Sequence, residues 1–288
     1  MKECNILNTL RDYNKLHKII SNENGKEFFE MIRESEDLYM FFSIDSLCIW
    51  YKGLNVCTVG RDGIHSMTQS FKERADKFNP ELKDIINNSS NRKKFSIYTN
   101  RICDIKTIVW NGGKSKQLER KNQQSIAWEN RMLEDFHILD LEFAIPQEIA
   151  GSSKPEFDYL AVDTSKKVIY LIEYKCKYKS ATVGKSNLIK HYEDMKKIKE
   201  HTSLIINTVA DLWNLEKESI KIFSDYKIVP AFLFTDFNKF TQGEKNKINN
   251  ILNGIKKEDY EIVIWDFPEA KSVDFSKEPI PIRDYKIS

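Results

Sequence analysis

The chain has 288 residues, 41% of them hydrophobic and 31% charged, with a formal net charge of +2. This is an ordinary soluble balance, enough for one large domain or two modest ones. It holds no apolar stretch of membrane-spanning length, and its charged start lacks the apolar segment of a secretory signal, so a cytoplasmic protein with no membrane partner is expected. The five cysteines (Cys4, Cys48, Cys57, Cys103, Cys176) are odd in number, scattered and without a CxxC pair. They point neither to a disulfide framework nor to structural zinc, and read as reduced packing residues.

Helices are expected over residues 6–20 and 26–34, followed by strands at 38–43, 47–51 and 54–59, with Lys52-Gly53 as the turn of a hairpin. A polar helical stretch over 67–88 and strand candidates at 94–99 and 103–110 complete the first half. Asn111-Gly112-Gly113 breaks the pattern, which places a boundary near residue 112 between an N-terminal α/β region, 1–112, and a second domain, 113–288. In the second half the pattern predicts a helix over 115–138 and strands at 141–149, 156–163 and 168–177. A helix at 185–201, a strand at 227–235, a helix at 243–255 and a strand at 260–267 follow. The run Val168-Ile169-Tyr170-Leu171-Ile172 is apolar at every position, as a central strand covered on both faces should be. A mixed sheet with helices packed on it is the expected α/β architecture.

Within that order, pairing Asp163 with Val168 and leaving Thr164, Ser165, Lys166 and Lys167 as the loop makes every pair of residue numbers sum to 331. Asp158 then faces Glu173, and Lys175 projects from the same face one pleat further on. Like charges opposite one another destabilise a sheet unless something compensates them, and a hard cation with oxygen ligands would do so. The competing reading is a buried ion-pair cluster, with Lys175 neutralising Glu173 or facing Glu156. A third carboxylate could come from Glu129, which falls on an apolar stripe of Ile126, Leu133 and Phe136, or from Glu142 in the next strand; alternatively the helix is rotated slightly and Glu129 or Glu134 is simply exposed. His191, beside Leu188, Tyr192, Met195 and Ile198, reads as a satisfied core histidine rather than a ligand. Between Lys166 and Lys199 ten lysines stand against three acids, a candidate phosphate-facing strip or, alternatively, a solvated helix face.

Asp158, fourteen intervening residues and then Glu173-Tyr174-Lys175, inside an α-β-β-β-α-β order, resemble the PD-(D/E)XK nuclease superfamily of restriction-endonuclease-like enzymes. The resemblance spans about residues 117–267. It departs from the family pattern where Phe157 precedes Asp158 in place of proline, with Pro155 three residues before the aspartate. The run Gln123 to Asn130, with Asp140-Leu141-Glu142 and Lys190 to Asp194, also resembles an uncharacterised bacterial group of that superfamily. The resemblance implies a restriction-endonuclease-like core that hydrolyses phosphodiester bonds as an endonuclease or exonuclease. Mg²⁺ or Mn²⁺ would be held by Asp158 and Glu173 with Glu129 or Glu142, while Lys175 acts on the attacking water. Lys177, Lys179, Lys185 and Lys190 would contact nucleic acid, DNA ahead of RNA. Apart from the resemblance, the strand edges and aromatics of residues 38–59 (Tyr39, Phe41, Phe42, Trp50, Tyr51) make the N-terminal region a candidate for partner choice or self-association, a homodimer included, although plain core packing is the favoured reading of those aromatics. The rival expectation is a non-catalytic nucleic-acid-binding or assembly module that retains the fold.

Overall fold

The computed structural model describes residues 12–43, 45–52, 54–66, 81–82, 94–112, 118–145, 155–183, 187–217, 221–256 and 261–287. The predicted helix over 67–88 lies almost wholly outside them, as does the start of the helix over 6–20. The described chain divides into two compact units, one ending at Trp128 and one running from Glu129. This division follows the helix that the sequence pattern assigned to the second domain.

The first unit begins with α1 (Tyr13–Ile20) and α2 (Lys26–Glu34). Four antiparallel strands follow in chain order: β1 (Leu38–Phe42), β2 (Leu47–Tyr51), β3 (Leu54–Gly60) and β4 (Gly63–Ser66). Lys52 takes a left-handed φ of 47° in the turn between β2 and β3, where the sequence places a hairpin. Next come α3 (Phe95–Asn100) and α4 (Ile102–Gly112), in segments whose sequence pattern predicts strands. Their many β-branched residues carry strand propensity, but the buried positions Phe95, Tyr98, Ile105 and Ile108 recur at helical spacing. Phe95 packs with its ring centroid within 5.8 Å of those of both Phe28 and Phe29, and this tertiary contact overrides local propensity. The unit closes with α5 (Leu118–Glu129).

The helix predicted to reach residue 138 stops at Glu129, because Asn130 turns the chain. Asn130 is buried, its amide donating to the Val273 carbonyl and its side-chain oxygen accepting from the Phe275 amide, each at 3.1 Å. Phe136, expected on a helical stripe, instead opens β5 (Phe136–Ala144) and stacks on Phe275 with ring centroids 4.5 Å apart.

The second unit is built on a six-stranded mixed sheet. β5 is followed by β6 (Glu156–Asp163) and β7 (Val168–Lys175), then by the short helix α6 (Tyr178–Thr182), α7 (Leu188–Lys197) and α8 (Thr202–Lys217). The last elements are β8 (Lys227–Thr235), α9 (Gln242–Ile255), β9 (Val263–Phe267) and β10 (Ile280–Pro281). The strand order is β10-β9-β8-β7-β6-β5, with β7 antiparallel to β6 and parallel to β8. β7 is central, as its uniformly apolar sequence requires. α8 stands where the sequence pattern suggested no element; its buried Ile205, Thr208, Val209, Leu212 and Trp213 follow the spacing of an amphipathic helix. Among the described residues no helix is long and apolar enough to cross a membrane, and Cys48, Cys57, Cys103 and Cys176 are free thiols.

Asn130 ties the entry of this unit to its C-terminal segment, so Asn130→Ala leaves a buried carbonyl and a buried amide without their partners. A loss of about 2–3 kcal/mol in the stability of this unit is expected in urea unfolding followed by circular dichroism. A loss under about 0.5 kcal/mol would show that the clamp contributes nothing to the fold.

Candidate functional site

The register of the β6–β7 hairpin is set at its turn. Asp163 ends β6, and its Oδ1 accepts from Ser165 Oγ at 2.8 Å and from the Lys166 amide at 2.9 Å, a local turn that fixes where the chain reverses. Lys167, at φ 55°, leads into β7. The five paired positions from Asp163 with Val168 to Tyr159 with Ile172 all follow the predicted register. The ladder stops one pair short of Asp158 and Glu173. There the Tyr174 amide donates to Asp158 Oδ2 at 2.7 Å. The Asp158 carboxylate thus lies against β7 at the peptide that follows Glu173.

Glu173 and Lys175 alternate onto the same face of β7 and are only 4% and 3% exposed. Charges at such depth persist only when paired and hydrogen-bonded. Lys175 Nζ donates to Glu173 Oε1, and His191 Nε2 donates to the same oxygen at 2.9 Å, with 3.4 Å between the two nitrogens. Burial pushes the Glu173 carboxyl up, but the Lys175 ammonium and the His191 imidazole more than offset it and hold the group below the ordinary carboxylate range. His191 is placed by α7, whose first turn is capped by Asn187 Oδ1 accepting from the Lys190 amide at 2.9 Å. With Nε2 bonded to Glu173, the buried Nδ1 has no hydrogen-bond partner among the described residues. The histidine read as core packing is therefore a member of the charged cluster. Its place on the inward face of α7 was legible in the sequence; its alignment with Glu173 was not.

The other candidate residues are distributed differently. Glu129 is exposed at the end of α5, and Glu142 is exposed with a left-handed φ of 53°. The buried acid of β5 is Asp140, 1% exposed, which pairs with Leu160 and so shares a face with Asp158. An irregularity between Ile138 and Asp140 shifts the alternation there, which hides Asp140 from simple counting along the strand. Lys177 and Lys179 are exposed just beyond Lys175, and Lys185 lies outside the described residues. Lys190 is held 2.5 Å from the buried carboxylate of Asp194, which also draws Lys197 to 3.8 Å.

For a divalent cation the chemistry of the donor set fits: Asp158 and Glu173 supply hard oxygen ligands, and Glu173 is held in its ionised form. Among the described residues no three His, Cys, Asp or Glu side chains come together in a group that could hold a metal ion. Mg²⁺ usually takes only one or two carboxylates and completes its shell with water and phosphate oxygens, so two acids suffice. Comparison with protein families, with curated proteins and with solved structures finds no match to the chain.

Lys175→Met should cost about 3 kcal/mol by leaving a buried carboxylate under-compensated, and the double variant with Glu173→Gln should be more stable than Lys175→Met alone. The measurement is a double-mutant cycle in urea at neutral pH. Because the folded Glu173 carboxyl titrates below its unfolded value, its contribution is present above the unfolded range and is lost as the pH falls through the folded value. Glu173→Gln should accordingly show a shallower loss of stability in acid than the parent.

Proposed function

We propose that the unit from Glu129 onward is a PD-(D/E)XK, restriction-endonuclease-like core, and that the protein hydrolyses phosphodiester bonds in nucleic acid, DNA ahead of RNA, with Mg²⁺ or Mn²⁺. The observation that carries the reading is the buried Glu173 carboxyl bonded to Lys175 at the end of the central strand, with Asp158 brought against the same stretch of β7. A structural salt bridge is an expensive way to stabilise a sheet centre, whereas a site that must hold charge needs this arrangement. Asp158 and Glu173 would hold the cation. A bound divalent ion supplies Lewis acidity toward the phosphate and lowers the pKa of an attacking water. Lys175 contributes a compact ammonium in a water-poor setting, able to orient that water and to steady negative charge developing on the phosphate. Lys177 and Lys179, exposed immediately after the site, would hold the flanking backbone.

A second reading, a non-catalytic nucleic-acid-binding module, draws on one feature: Glu173 Oε1 already has two donors inside the protein. The two readings separate on metal dependence, since a backbone-binding module responds mainly to salt.

Labelled DNA and RNA incubated with the full chain should be cut only when Mg²⁺ or Mn²⁺ is added. Lys175→Gln, which keeps a donor near Glu173, should lower the cleavage rate by about 10²–10³ while binding changes little, because binding is spread over many lysines. Asp158→Ala should be inactive at low cation and partly restored by raised Mn²⁺. Wild type that binds nucleic acid but cuts neither polymer with either ion would favour the second reading.

A further inference from the structure

We propose that His191 is a positioning residue of this site, one that keeps the Glu173 carboxylate compensated and oriented when Lys175 turns away from it toward the substrate. The inference rests on the nuclease reading above. Its starting point is that one oxygen, Glu173 Oε1, receives both Lys175 Nζ and His191 Nε2. If Lys175 were the sole partner, its ammonium could not leave without stranding a buried charge, and the lysine would be locked in place. With His191 bonded to the same oxygen, the carboxylate keeps a donor and a fixed rotamer whether or not Lys175 is present.

The surroundings of His191 suit this role. The residue is 9% exposed and sits one helical turn after the Asn187 cap, among buried Leu188, Tyr192 and Met195, so packing restrains its orientation. Its Nδ1 has no hydrogen-bond partner among the described residues, so none of them competes from behind the ring with the bond to Glu173. The bond to Glu173 requires only a proton on Nε2, and no proton transfer is needed. Histidines and carboxylates that orient ligand groups in this indirect way typically change metal affinity or activity by about 10–100-fold when removed.

The test uses the full chain and three measurements. Nitrogen NMR of the histidine rings should show His191 protonated at Nε2 with a bare Nδ1, and the signal should shift in Glu173→Gln. His191→Leu should weaken binding of Mn²⁺ alone, read by electron paramagnetic resonance, and lower kcat about 10–100-fold with KM for nucleic acid within about twofold. His191→Gln, whose side-chain amide can donate from near the Nε2 position, should recover most of both losses. A histidine protonated at Nδ1, a His191→Leu protein that binds Mn²⁺ and cuts like wild type, or a His191→Gln protein as impaired as His191→Leu would each overturn the inference while leaving the nuclease reading intact. Should His191→Leu fail to fold, the ring spectrum and His191→Gln decide. Wild type that neither binds Mn²⁺ nor cuts nucleic acid would overturn the nuclease reading, and this inference with it.

Discussion

The Glu173 carboxylate is the constraint around which the second unit is arranged. Placing a charge at 4% exposure in the central strand of a sheet costs far more than any single hydrogen bond returns, so the fold must deliver compensation from several directions. β7 itself delivers Lys175 through strand alternation, two residues on. α7 delivers His191 from a different part of the sequence, whereas β6 brings a second carboxylate, Asp158, against the following peptide, where the Tyr174 amide donates to it. A loss of register in β7 or of the packing of α7 leaves the charge with its desolvation penalty less compensated. The site and the stability of the sheet are thus aspects of one electrostatic problem.

That problem is solved partly at a distance. Asp163, at the far end of the β6–β7 hairpin, fixes the turn through bonds to Ser165 and Lys166, and strand pairing carries the resulting register to the other end. A slip of one residue would turn Asp158 to the opposite face of the sheet. Lys166 also reaches Glu278 at 2.8 Å, and the Trp265 indole donates to the Lys277 carbonyl at 2.9 Å, so the C-terminal segment bears on the same end of the sheet. Asn249 clamps that segment again by exchanging two hydrogen bonds with the backbone of Ile287.

The basic strip changes meaning once its partners are visible. Lys190 and Lys197 converge on Asp194, and Lys196 pairs with Glu193 at 3.0 Å, so much of the local excess along α7 is engaged within its own helix. The Lys196–Glu193 pair is solvent-facing and worth little, whereas Lys190 and Lys197 are held by the buried Asp194 carboxylate. Lys177 and Lys179 differ in lying on the surface directly after the buried cluster, and only under the proposed function are they assigned to a phosphate backbone.

By itself the sequence determined the parts of this protein that rest on local rules. The unbroken apolar run of β7 announced a central strand, alternation put Glu173 and Lys175 on one face, and a four-residue polar turn set the hairpin register that the structure follows over five pairs. Period-based reading failed where neighbours outweighed propensity. The β-branched segments of α3 and α4 became helices against Phe28 and Phe29, and Asn130 ended α5 by bonding to residues more than a hundred positions away. The charged cluster divides in the same way. Asp158, Glu173 and Lys175 lie on one hairpin and could be placed by counting, whereas His191 meets Glu173 only because a helix eighteen residues further along packs onto that face. Asp140 was legible only as part of the run Asp140-Leu141-Glu142; its burial beside a strand irregularity was not. Contacts between neighbours along a strand or turn are encoded in residue spacing, whereas contacts between elements depend on how whole surfaces pack, and only the tertiary structure decides those.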